Sequence, residues 1–152
     1  MSISAKLSEL GISIPVAAKP VAAYIPAVKV GDLVYTSGQL PMQDGELQCM
    51  GKVGADVTVE QGYAAARLCA INCLAALNTV SDVEKIEKIV KVTGFVNSAA
   101  GFTGQPAVMN GASELLLGIF GDIGVHARSA IGMAELPRNA AVEVEMIFKV
   151  RE

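Results

Sequence analysis

The sequence predicts an α/β (α+β) domain built as a two-layer plate, with strands lying under two helices. Three observations carry this expectation. β-branched and alternating runs near residues 27–36, 86–96 and 126–150 read as strands. Two stretches between them repeat apolar residues at helical spacing. The resulting order is β-β-α-β-α-β-β after a short leading helix, a layered arrangement of one sheet and two covering helices.

Taken in order, Ser4 to Leu10 suits a short helix stopped by Gly11 and followed by Pro15. Ala27–Val30 and Leu33–Thr36 are apolar runs separated by Gly31-Asp32, and glycine at the first loop position suits a type II′ hairpin. Pro26, which has no N–H to donate, belongs at a strand start or an edge. The glycine-rich, polar stretch from Ser37 to Val57 reads as one long loop. Thr58-Val59-Glu60-Gln61 is a capping box. The helix it opens carries Tyr63, Ala66, Ala70, Cys73, Leu74 and Leu77 on one stripe and ends near Thr79.

Ile86–Val96 is a long β-branched strand. After a glycine-rich connection, Pro106 stands where a helix accepts its first residue. Met109, Ala112, Leu116 and Ile119 form the apolar stripe of that second helix, which stops between Gly121 and Gly124. The remainder, His126 to Val150, reads as two strands joined by a turn at Pro137-Arg138-Asn139-Ala140.

Composition bounds the function. A chain of 152 residues with 52% hydrophobic and 18% charged residues forms one folded domain over 1–152, and its surplus apolar surface favours oligomers. The net charge of −3, with no lysine/arginine cluster, leaves no basic footprint for nucleic acid. No run reaches transmembrane length and the start lacks a signal-peptide core, so a cytoplasmic location and no membrane partner are expected. Cys69 and Cys73 are read as two buried thiols rather than a metal pair, because no second ligand pair accompanies them. With a single histidine, no multi-histidine metal site exists. Standard nucleotide, serine-hydrolase and redox motifs are absent. His126 is read as a strand-start residue with ordinary hydrogen bonds rather than as part of a catalytic triad.

The last two strands hold the charges that call for explanation. If Leu136 pairs with Ala141 in a hairpin, Lys149 lies opposite Arg128 and Ala134 opposite Glu143. Arg128, Ala130, Gly132 and Ala134 then form a small-residue face adjoining Glu143 and Glu145. In that register Arg128 and Glu143 stand about six residues apart within one chain, roughly 20 Å. They share a site only if another subunit brings them together. Arginine grips a carboxylate through a planar fork; an interface salt bridge from Arg128 to Glu143 or Glu145 is the equal alternative.

HARSAIGMAELPRNAAVEVEMI, PVAAYIPAVKVGDLVYTSGQLP and GFVNS, taken together, resemble the RidA/YjgF family, also known as L-PSP endoribonucleases or reactive-intermediate (enamine/imine) deaminases. The resemblance runs from Pro20 onward. It implies a chorismate-mutase-like plate, a mostly antiparallel mixed sheet packed under two helices, here with a short extra N-terminal helix. It also implies a homotrimer with clefts between subunits. Position by position, it assigns Arg128 to the substrate carboxylate and Glu143 to the hydrolytic water. Tyr24, Ser37, Gly38, Asn110 and Ala130 are assigned to substrate binding. Ala130 stands where many deaminating members have cysteine, and His126 where many have proline or a small residue. The expected activity is hydrolysis of 2-aminoacrylate-like enamine/imine acids to 2-keto acids and ammonia, with no metal or organic cofactor. The alternative is a non-catalytic trimer that binds small carboxylate metabolites. Ribonuclease activity is disfavoured by an acidic chain with few aromatics to stack bases.

Overall fold

The computed structural model describes residues 1–17, 19–20 and 22–152. Ser2 caps a short helix, α1 (Ile3–Glu9), whose first N–H groups also meet the carboxylate of Glu84: Ile3 at 3.0 Å and Ser4 at 2.7 Å. Then come β1 (Ala27–Val30) and β2 (Leu33–Thr36), joined by the two-residue turn Gly31-Asp32. Gly31 has φ +61° and Asp32 does not take positive φ, as the expected turn type requires.

The stretch read as one long loop contains a second, smaller hairpin, β3 (Met42–Gln43) and β4 (Glu46–Leu47), turning at Asp44-Gly45. The capping box at Thr58 and Gln61 forms with both of its hydrogen bonds and opens α2 (Val59–Leu77). β5 (Ile86–Asn97) follows, then α3 (Gln105–Phe120), a single 3₁₀ turn at Gly121–Gly124, β6 (Ala127–Met133) and β7 (Val142–Val150).

Five strands make one sheet in the order β1-β2-β7-β5-β6, antiparallel throughout except for the parallel β5–β6 pair. The predicted C-terminal hairpin therefore does not exist. β6 and β7 are separated by β5, which pairs with both, and neither the Lys149–Arg128 nor the Ala134–Glu143 pairing forms. The physical reason lies in burial and connection. β7 buries Val142, Val144, Met146, Phe148 and Val150 completely or nearly so, which suits a central strand. β6 has no buried residue and takes the edge. The α3 crossover is long enough to bring β6 back parallel beside β5.

Both long helices cover one sheet face, and α1 packs beside α3. The two long helices approach closely because position 111 is glycine: a Cβ there would run into the backbone carbonyl of Tyr63. Cys69 and Cys73 are buried free thiols under α2, facing the carbonyls of Val142 and Val144. Burial pushes both thiols up, that of Cys73 to about 12. Among the described residues no helix covers the other sheet face, which carries Val28 (45% exposed), Val30 (63%), Tyr35 (41%) and Ile131 (43%).

Candidate functional site

The charged residues singled out by the sequence fall into two groups, one on each side of the sheet. Along β5, Val92 and Val96 are buried against the helices, so the intervening Thr93 and Phe95 point to the uncovered face. Arg128 is in register with Val92 and Ala130 with Gly94, which turns both toward the helix layer. Glu143 is in register with Phe95 and Glu145 with Thr93, which turns both carboxylates to the uncovered face. The small-residue face of Arg128 and Ala130 thus does not adjoin the two glutamates. Within one chain, Arg128 and Glu143 stand two strands and three residues apart, roughly 10 Å in each direction.

On the helix side, α3 places Asn110 and Ser113 one turn apart and therefore on one face. Arg128 Nη1 donates to Asn110 Oδ1 at 2.9 Å and to Ser113 Oγ at 3.2 Å. Those two bonds use both Nη1 hydrogens and leave Nη2 and Nε without a partner among the described residues. No acidic group lies in salt-bridge range of this half-buried guanidinium among the described residues. Ser113 is itself bonded to His126 Nε2 at 2.9 Å, and His126 Nδ1 lies 2.7 Å from the Gly124 carbonyl. Burial lowers the His126 pKa below its usual value; the Gly124 carbonyl opposes this, and the charges of Arg128 and Lys88 add to it.

On the uncovered face, the chain leaving β2 runs on beside β7. Tyr35 pairs with Ile147, and Gln39 then exchanges both backbone hydrogen bonds with Val144, at 2.8 and 3.0 Å. Three residues on one strand face two on the other, a bulge centred on Thr36–Gly38. Met146 N–H, which the bulge leaves without a backbone partner, donates to Thr36 Oγ1 at 3.1 Å. The bulge also seats Gly38 under Glu143: a Cβ on residue 38 would come within 2.9 Å of the carboxylate carbon and overlap Oε1. Ser37 is held by Ser37 Oγ donating to the Ile25 carbonyl at 2.6 Å and Ser37 N–H to the Pro26 carbonyl at 2.7 Å. Tyr24, just before, is 58% exposed. Burial first, and then the neighbouring charge of Glu145, raises the Glu143 pKa.

One chain therefore brings Asn110 to Arg128, with Ala130 two residues along on the same face of β6, and seats Gly38 beneath Glu143, with Ser37 beside it in the bulge and tied to the Ile25 carbonyl. Sequence reasoning missed Ser113. A serine in mid-helix carries no local signal, since its role appears only once α3 lies against β6. Among the described residues no group of three or more His, Cys, Asp or Glu side chains converges, and no helix is long and apolar enough to cross a membrane.

A family model described as "YjgF/chorismate mutase-like, putative endoribonuclease" matches residues 4–150. The chain is 42% identical over 150 residues to protein TCP17 of Trypanosoma cruzi, covering 97% of this chain and 94% of that one. It is 32% identical over 139 residues to a 2-iminobutanoate/2-iminopropanoate deaminase of Dermatophagoides farinae, covering 91% and 94%. In structure it is similar to the protein Atu1372 of Agrobacterium tumefaciens, which is described as having unknown function. The TM-score there is 0.91 at 44% identity, over 98% of this chain and 92% of that one.

Proposed function

Since the chain belongs to the YjgF/chorismate-mutase-like family, we propose that it hydrolyses reactive enamine and imine acids of the 2-aminoacrylate type. The products are 2-keto acids and ammonia, formed in clefts between the subunits of a homotrimer in the cytoplasm. The observation that carries this reading is the Arg128 guanidinium. It is held by two neutral acceptors through Nη1, with Nη2 and Nε open and no acidic partner among the described residues. A half-buried cation so arranged is stabilised by an incoming anion. The deaminase name of the Dermatophagoides farinae relative supports an imino acid as that anion.

The chemistry needs a fixed carboxylate and an aimed water. The enamine acid reaches the active site as its imine tautomer, R–C(=NH2⁺)–COO⁻. Arg128 holds the carboxylate and Asn110 fixes the arginine. Glu143 takes a proton as the oxygen of water bonds to the imine carbon, and returns it to nitrogen. As the C–N bond breaks, the hydroxyl proton passes to Glu143 and the C=O bond of the keto acid forms; the ammonia that leaves then takes that proton from Glu143 as ammonium. A carboxylate whose pKa is raised by burial, and then by the charge of Glu145, takes a proton more readily than an ordinary one. Arg128 and Glu143 lie on opposite sides of the sheet, so this mechanism takes them from two copies. The edge strand β6 of one copy would approach the uncovered face of the next.

Ammonia release from an imino acid generated in situ tests the proposal. Acceleration proportional to protein concentration supports it. Binding of keto acids without acceleration would instead identify a trimeric module that only binds carboxylate metabolites.

A further inference from the structure

We propose that Ser113 and His126 are positioning residues for Arg128, forming a hydrogen-bonded relay that couples carboxylate binding to protonation of His126. The inference rests on the reading that Arg128 holds the substrate carboxylate.

Elementary donor and acceptor counting fixes the direction of the relay. The Gly124 carbonyl can only accept, so His126 Nδ1, 2.7 Å away, carries its hydrogen. In the neutral ring Nε2 is then an acceptor, and the Ser113 hydroxyl, 2.9 Å away, donates to it. With its hydrogen so committed, Ser113 Oγ presents only lone pairs to Arg128, whose Nη1 donates at 3.2 Å. Asn110 Oδ1 takes the other Nη1 hydrogen at 2.9 Å. The guanidinium is thereby locked, and the open edge left to a ligand is the Nε–Nη2 side, which can grip a carboxylate with two parallel bonds.

The same geometry links the ligand to a proton. The charged groups facing His126 are Arg128 on β6 and Lys88 on β5. The Lys88 ammonium is bound to the backbone carbonyl of Asp122, 3.1 Å away. On α3 the nearest acid, Glu114, is taken by the hydroxyl of Tyr63. A carboxylate seated on Arg128 offsets the cation that most directly opposes an imidazolium. Ligand binding and His126 protonation must then favour each other. On protonation, Nε2 donates to Ser113 Oγ, whose two lone pairs still hold both partners while its hydrogen turns to a helix carbonyl.

The chain has one histidine, so its ring signal in proton NMR needs no assignment. We would titrate it between pH 4.5 and 8 with and without 2-oxobutanoate, and measure 2-oxobutanoate affinity over the same range. The expected result is a His126 pKa that rises on ligand binding. Affinity should grow about 3-fold or more as pH falls through that range, and this growth should be lost in His126→Gln. Ser113→Ala should weaken 2-oxobutanoate about 2- to 12-fold, and Ser113→Thr, which keeps the hydroxyl, should restore it. Suppose Ser113→Ala binds like the wild type and the histidine titration ignores the ligand, while Arg128→Lys still binds weakly. The relay is then refuted and the role of Arg128 stands. Unchanged affinity in Arg128→Lys would overturn the carboxylate reading itself, and the relay with it.

Discussion

Gly38 lies directly beneath the Glu143 carboxylate, close enough that a methyl group at position 38 would collide with it. The obstacle is the end of a flexible side chain rather than backbone, and Gly38 does not need positive φ. Gly38→Ala should therefore fold with little change in Tm while displacing the carboxylate from its place. Ammonia release should fall at least tenfold, since small misplacements of a reacting group are costly. A Gly38→Ala protein with wild-type deamination would mean that the position of Glu143 is immaterial.

Glu143→Gln should separate catalysis from binding. The amide keeps the size but cannot take a proton, so deamination should drop about 10²- to 10⁴-fold. Keto-acid binding should be nearly unchanged if, as proposed, the carboxylate is held by Arg128. If Glu143 is instead an interface ion-pair residue, the same variant would loosen the assembly.

Glu143 also makes a prediction about pH. Its folded pKa is raised, by burial and then by Glu145, above the ordinary 4.5. The folded state thus favours its protonated form. The resulting stabilisation is fully present below about pH 4.5 and is lost as pH rises through the raised folded value. At neutral pH, Glu143→Gln should unfold at the same or a higher temperature than the wild type. A clear loss of Tm there, with the assembly intact, would contradict the burial and like-charge argument.

Arg128→Lys keeps the charge but loses the fork. Affinity for a 2-keto acid, read by calorimetric titration, should fall roughly 10- to 150-fold, the loss of one charge-assisted hydrogen bond. The assembly should persist. Unchanged affinity in an intact assembly would leave Arg128 with a structural role only.

Thr36→Val tests the bulge. Thr36 is buried, and its hydroxyl is the partner of the Met146 N–H. Valine keeps the shape and orphans that donor, at a cost of about 1–3 kcal/mol in denaturant unfolding. No loss of stability would mean that water or a backbone shift satisfies Met146.

The uncovered sheet face, with Val28, Val30, Tyr35 and Ile131 exposed, leads us to expect assembly. Light scattering should return about three times the chain mass of 15.7 kDa. A single-chain mass would remove both the trimer and any site shared between copies.

What the sequence determined by itself is the local structure. The capping box at Thr58, the Gly31-Asp32 turn, the stop near Gly121 and the apolar stripe of α3 all depend on residues within a few positions of one another. They formed where the pattern placed them. The family motifs were legible for the same reason: TSGQ and the ARS strand are short strings. Asp44-Gly45 was just as local a signal, and the reading of one long loop passed over it. Only the tertiary structure decided which strands are neighbours. A turn between β6 and β7 suggests a hairpin, but pairing is settled by which strands bury most surface. β5 and β7 took the centre and left β6 at the edge. That choice turned Arg128 toward α3 and Glu143 to the opposite face. It also gave Ser113 and His126 their place beside the arginine, a contact between residues whose spacing in the chain says nothing of it.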